Sequence, residues 1–76
     1  RSLAWTRSFE GQVVEVLVEG ASRHDAGVIA GRTSANLMVN FPGETSEIGR
    51  TMRVRVTRGF TNSARGERLD RGVELP

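Results

Sequence analysis

The sequence predicts an all-β fold: a small five-stranded antiparallel barrel of OB-like type, with a short N-terminal helical stub. Two observations carry this prediction. Apolar residues recur at every second position through most of the chain, in runs cut by glycine, and that period marks strands with one buried face. There are about five such runs, all short, with no edge both long and apolar, which suits a closed or nearly closed barrel. Length sets the scale. Seventy-six residues make one domain, which buries roughly 60% of its unfolded surface and has one modest core.

Residues 1–10 differ from the rest. Leu3, Ala4, Trp5 and Phe9 lie along one side of a helical turn, with Trp5 and Phe9 at i, i+4. This stretch is expected to end a linker helix from an upstream domain. The missing initiator methionine likewise suggests a fragment of something longer. With few neighbours in sequence, Trp5 is expected to be partly exposed. The barrel is expected over residues 11–70. Its first strand, "GQVVEVLVEG", runs from Gly11 to Gly20, with Val14, Val16 and Val18 on one parity and Val13, Glu15, Leu17 and Glu19 on the other. Val13 and Leu17 either join Trp5 and Phe9 in a satellite cluster or dock against a missing core domain. "GVIAGR", Gly27 to Arg32, is the second strand. "LMVNF" is the third, with Leu37, Val39 and Phe41 inward and Met38 and Asn40 outward. Phe41 is by parity a core residue before it is a stacking platform. A loop follows, turning at Pro42–Gly43 and closing at Gly49. In the fourth strand, "RTMRVRVTRGF", Met52, Val54 and Val56 face in while Arg53, Arg55 and Thr57 face out. "SARGERL", Ser63 to Leu69, is the fifth. Residues 71–76 form a frayed tail.

Charge is distributed unevenly. All eleven basic residues are arginine, and the net charge is +2. The pI near 11 therefore reflects the lack of groups titrating between pH 8 and 12 more than a large net charge. Residues 1–49 carry four arginines against six acids, and residues 50–76 carry seven against three. Between Arg50 and Arg58 there are four arginines and no acid. A polyanionic partner fits that side. The alternative is a solvated, arginine-rich surface from a compositionally biased proteome.

Several chemistries are excluded within the chain. Without cysteine there are no disulfides, zinc–thiolate sites or iron–sulfur ligands. That absence is compatible with the cytoplasm, which is the expected location. No apolar run approaches the ~20 residues of a membrane span, and the N-terminus is too short and polar for a signal peptide. His24 is the only histidine. It neighbours Ser22 and Asp25, but catalytic triads converge from distant segments. Glu44 and Glu47 lie in a loop within reach of a cation, yet two carboxylates without further ligands make a poor site. The chain by itself is expected to be non-catalytic.

An ordered set of motifs points further. "VLVEG" at Val16–Gly20, "GR" at Gly31–Arg32, Asn36, "VNF" at Val39–Phe41, "RVRV" after Gly49 and "NSARG" at Asn62–Gly66 together resemble a TRAM domain, over about Gly11 to Leu69. The chain is most similar to the C-terminal TRAM domain of bacterial tRNA methylthiotransferases that act on isopentenyladenosine beside the anticodon. One departure is Ser63-Ala64-Arg65-Gly66, where the family commonly has Ser-Leu-x-Gly. It puts local packing in question and adds an arginine at the turn.

The resemblance implies a tRNA-binding module that presents the anticodon region to a radical S-adenosylmethionine core. That core holds the iron–sulfur clusters and the S-adenosylmethionine; this chain holds no cofactor and no metal. Expected partners are tRNA and the catalytic core of the same enzyme, with no membrane, and the isolated domain is expected to be a monomer. The alternative is a protein-interaction barrel docking mainly on its own core. The candidate RNA-binding residues are Arg32, Asn36, Asn40, Arg53, Arg55 and Arg65. Arginine brings a planar charged fork for phosphate, and asparagine brings donors and acceptors for base edges and 2′-hydroxyls. Other roles remain open: Asn36 shaping the turn, Arg32 pairing with Glu19 or Glu47, and solvated heads on Arg53 and Arg55.

Overall fold

In the computed structural model, residues 2–69 are described. The expected frayed tail at 71–76, and position 70 at the expected barrel boundary, lie outside the described residues. A five-residue helix, α1 (Leu3–Arg7), precedes five strands: β1 (Val13–Ala21), β2 (Val28–Arg32), β3 (Met38–Pro42), β4 (Thr51–Gly59) and β5 (Ala64–Arg68). One 3-10 turn, Thr45–Glu47, sits between β3 and β4.

The strands close into a barrel in the order β1-β2-β3-β5-β4, with β4 returning to β1. Four ladders are antiparallel. The seam between β3 and β5 is parallel and short, pairing Val39 with Ala64 and Asn40 with Arg65. The five-stranded barrel expected from sequence is closed, and its strands are antiparallel at every seam but one, because five strands cannot alternate direction all the way round a closed ring. One seam must be parallel, and it falls where the chain returns from β4.

The expected inward parities largely hold. Val16, Val18, Leu37, Val39, Phe41, Met52, Val54 and Val56 are buried, joined by Ile29 and Ala64. Phe41 is fully buried and belongs to the core. Val14 departs from its parity-mates. It is half-buried and packs, with Trp5 and Phe9, against the edge of the core. Val13 and Leu17 stay exposed and are not among the partly buried residues packed against the core. Trp5 and Phe9 meet edge to face, with ring centroids 5.0 Å apart. Ala64, which stands where the family commonly has leucine, is fully buried opposite Gly59 and Val39.

The helical stub thus rests on the barrel, and Gly59 is the reason it can. A Cβ built there would lie 2.6 Å from the Thr6 carbonyl carbon and 2.7 Å from the Arg7 nitrogen. Only glycine lets the two backbones approach that closely. Thr6, the only buried polar residue among the described residues, has its hydroxyl within hydrogen-bond reach of the Leu3 carbonyl at 3.0 Å and of the Phe60 carbonyl. The Gly59 N–H donates to the Glu10 carboxylate at 2.8 Å.

Candidate nucleic-acid interface

A β-bulge decides which side chains the outer surface of β4 presents. Strict alternation from Met52, Val54 and Val56 would send Arg58 into the core. The register slips between Val56 and Arg58, leaving Thr57 as the extra residue. Both Thr57 and Arg58 are then exposed, and Gly59 turns inward. The bulge is held by the Thr57 hydroxyl, which donates to the Arg65 carbonyl at 3.0 Å. An arginine at an inward parity was itself the signal for this bulge, but period-two reasoning passed over it, so Arg58 was not among the expected site residues.

With that slip, Arg58 stands opposite Arg65 on β5, and Arg65 stands beside Asn40 on β3. Asn40, Arg65 and Arg58 form a lateral row across three neighbouring strands. Arg65 was expected at a turn; it is the second residue of β5 instead. Its guanidinium lies 3.9 Å from the Asp25 carboxylate, with both side chains about half exposed. The Asn40 side-chain amide has no hydrogen-bond partner among the described residues. It borders a shallow groove of about 350 Å³, also lined by Ala30, Met38, Arg23 and His24.

Arg32 and Asn36 meet at the β2–β3 connection. Arg32 donates through Nε to Glu19 at 3.3 Å and through Nη1 to the Asn36 side-chain oxygen at 3.2 Å. Asn36 has φ +67°, a left-handed conformation that asparagine tolerates better than most residues. Its N–H donates to the Thr33 carbonyl at 2.9 Å. It therefore shapes the turn and steadies Arg32 at once.

Arg53 and Arg55 point outward from β4 and are exposed, as expected. No acid lies between Arg50 and Arg58 in sequence, yet acids do reach this face. Acids arrive from neighbouring strands: Arg55 reaches Glu67 on β5 at 3.6 Å, and Arg53 pairs in register with Glu15 on β1. The six expected residues are spread over β2, the turn after it, β3, β5 and β4, four consecutive strands of the barrel. The outer face of β1 instead carries Val13, Glu15, Leu17 and Glu19.

The ion pairs fall into two kinds. Those of Arg32, Arg55 and Arg65 are at least 3.3 Å long, with side chains about half exposed. Such pairs contribute little to stability, about 0–1 kcal/mol, so an incoming phosphate displaces the carboxylate at small cost. Arg68 and Glu47 differ. Their two hydrogen bonds, at 2.8 and 2.6 Å, make a bidentate pair of largely covered side chains. The Arg68 guanidinium, helped by the Glu44 N–H, lowers the Glu47 carboxyl from 4.5 to about 2. Glu47 is committed to this structural pair. Asp25 pairs with Arg65, and Ser22 accepts the His24 backbone N–H at 3.3 Å, so Ser22, His24 and Asp25 build no triad. No group of three or more His, Cys, Asp or Glu able to hold a metal occurs among the described residues. No helix among them is long and apolar enough to cross a membrane.

The TRAM domain family matches residues 7–69, from the end of α1 through all five strands. This chain belongs to the TRAM domain family. Its curated relatives include tRNA-2-methylthio-N(6)-dimethylallyladenosine synthases. The one from Moorella thermoacetica is 48% identical over 69 residues, the one from Anoxybacillus flavithermus 45%, and the one from Bacillus subtilis 39%. These alignments cover 91% of the TRAM chain but 13–16% of each relative. The TRAM barrel thus spans about one-seventh of the length of the proteins it resembles.

Proposed function

We propose that this TRAM barrel is the tRNA-binding module of a tRNA-modifying methylthiotransferase, holding the anticodon region for a catalytic core that lies outside these residues. The observation that carries this is the outward row Asn40–Arg65–Arg58, set among cations with weak, displaceable partners. Arginine forks fit phosphate oxygens, and the unpartnered Asn40 amide offers a donor and an acceptor to a base edge or a 2′-hydroxyl. The substrate class, a tRNA adenosine, is that named by its relatives, the tRNA-2-methylthio-N(6)-dimethylallyladenosine synthases. On this reading the module works in the cytoplasm and is monomeric when isolated.

The chemistry belongs elsewhere in such an enzyme. Iron–sulfur clusters are held mainly by cysteine thiolates, and this chain has no cysteine. Its residues do not fit the cluster or a catalytic role; they bind and orient. A second reading has one observation in its favour. The outer face of β1 exposes Val13 at 42% and Leu17 at 48%, flanked by Glu15 and Glu19. That apolar, acidic surface suits a protein partner such as the enzyme's own core better than RNA.

Titrating the chain with tRNA across a salt series tests the proposal. Binding through phosphates makes log affinity fall linearly with log salt, by about 0.7–0.9 for each contact. Affinity that ignores salt, or no binding at all, would overturn it and leave protein docking as the role.

A further inference from the structure

Resting on the RNA-binding reading, we infer that Phe60 and Arg58 form a stacking site for an unpaired nucleobase, with Arg65 beside it to hold the adjoining phosphate. Phe60 lies in the β4–β5 connection and is 42% exposed. The other aromatics are covered to a greater degree: Phe41 is in the core, and Trp5 and Phe9 are half-buried against it. A single exposed aromatic is ordinary. Three further features set this one apart.

First, its backbone is fixed from two sides. The Phe60 N–H donates to the Ser63 carbonyl at 2.7 Å, and the Phe60 carbonyl is within reach of the Thr6 hydroxyl. The ring is thus carried on a rigid mount, which lowers the ordering cost of binding. Second, the Arg58 guanidinium carbon sits 5.5 Å from the ring centroid. Arginine and aromatic planes together are the surfaces on which unstacked bases pile. Third, Arg58 and Arg65 are register partners. Like charges directly opposite on neighbouring strands are destabilising. Among the described residues Arg58 has no carboxylate within ion-pair distance, and Arg65 has only the long contact to Asp25. An anion bound beside either guanidinium relieves that repulsion. Base and phosphate are thereby offered side by side, as single-stranded RNA presents them.

The test compares the chain with its Phe60→Ala, Phe60→Trp and Arg58→Ala variants, each shown by thermal melting to be folded. The probes are an unstructured oligouridylate and a blunt RNA duplex. Phe60→Ala should weaken oligouridylate binding by about five- to 150-fold, the equivalent of about 1–3 kcal/mol for one stacked base. It should leave duplex binding and the salt slope unchanged. Phe60→Trp should restore affinity, and its added fluorescence should be quenched by the oligomer. Arg58→Ala should make the salt slope shallower by about 0.7. If the parent chain binds oligouridylate and Phe60→Ala binds it equally well, the stacking site is refuted while the RNA reading stands. If Phe60→Ala weakens duplex and single strand alike, the ring is not reading unpaired bases. If the parent binds neither probe nor tRNA, both readings fall together.

Discussion

Replacing Gly59 with alanine tests whether α1 is an integral part of the barrel. The added Cβ would stand 2.6 Å from the Thr6 carbonyl carbon, 2.7 Å from the Arg7 nitrogen and 2.7 Å from the Thr6 oxygen. All three are backbone atoms, so no side-chain rotation relieves the clash. Ordinary contact begins at 3.4 Å, so the helix must retreat by about 0.8 Å. That retreat strains the Gly59–Glu10 and Thr6–Phe60 hydrogen bonds and loosens Trp5 and Phe9. Overpacking of this kind costs about 1–3 kcal/mol, and the stiffer unfolded chain returns about 0.4–1 kcal/mol. At the middle of these ranges the net loss is about 1.3 kcal/mol. In a domain of this size that lowers Tm by roughly 5–10 °C. Tryptophan emission should shift to the red and become easier to quench. Gly20→Ala is the matched control, since a Cβ there meets nothing within 4 Å; its stability should stay within about 0.5 kcal/mol. If Gly59→Ala melts with the parent and keeps its emission spectrum, the helix does not rest on this backbone and the packing argument is wrong.

Stability should also depend on acid through Glu47. Its folded-state value near 2 lies below the 4.5 of an unperturbed carboxyl, so its contribution is complete above about pH 4.5 and is lost as pH falls through about 2. A pH series of melts on the parent and Glu47→Gln should show a shallower loss of stability with acid in the variant, the remaining slope coming from the other carboxylates; equal slopes would mean that the Arg68–Glu47 pair does not stabilise the fold. Asn36→Ala should cost about 1 kcal/mol because alanine resists the left-handed backbone, whereas Asn36→Gly should hold stability; equal melting of the two would remove the backbone role. Arg53→Ala with Arg55→Ala should change unfolding free energy by no more than roughly 0.5 kcal/mol. The same double change should flatten the tRNA salt slope by about 1.4–1.8, and an unchanged slope in the folded variant would mean that neither side chain meets phosphate.

How far the sequence could be read depended on whether a feature was local. The strands and their faces follow from alternation and glycine punctuation, which is why Val16, Val39 and Val54 were placed correctly. The direction of the β3–β5 seam was not local; it depends on how many strands close the ring. Arg53 and Arg55 looked free of acids because Glu15 and Glu67 are distant in sequence and arrive only through pairing. Val14 lies near the start of its strand, where it is half-buried at the edge of the core beside which Trp5 and Phe9 also pack. Arg58 was missed for a different reason. Its parity contradicted its charge, and the contradiction is resolved by one unpaired residue, Thr57. Trp5 was expected to be short of neighbours, yet Gly59 lets the helix approach closely enough for the aromatic pair to pack against the core edge.

The parallel seam has a consequence for synthesis on the ribosome. Until Ala64–Arg68 emerges, the first four strands have only an open sheet to form, with β3 and β4 at its two edges. Unpaired edges of that kind recruit other chains, and pairings distant along the chain form slowly. A nascent chain paused before β5 is therefore at its most vulnerable just after its core residues have all but one been made. Ala64, fully buried in the finished barrel, is the last of them. The five residues of β5 act as a latch: translation speed through this short segment sets how long the edges stay open, and a stall placed ahead of it should raise aggregation without any change in the mature protein.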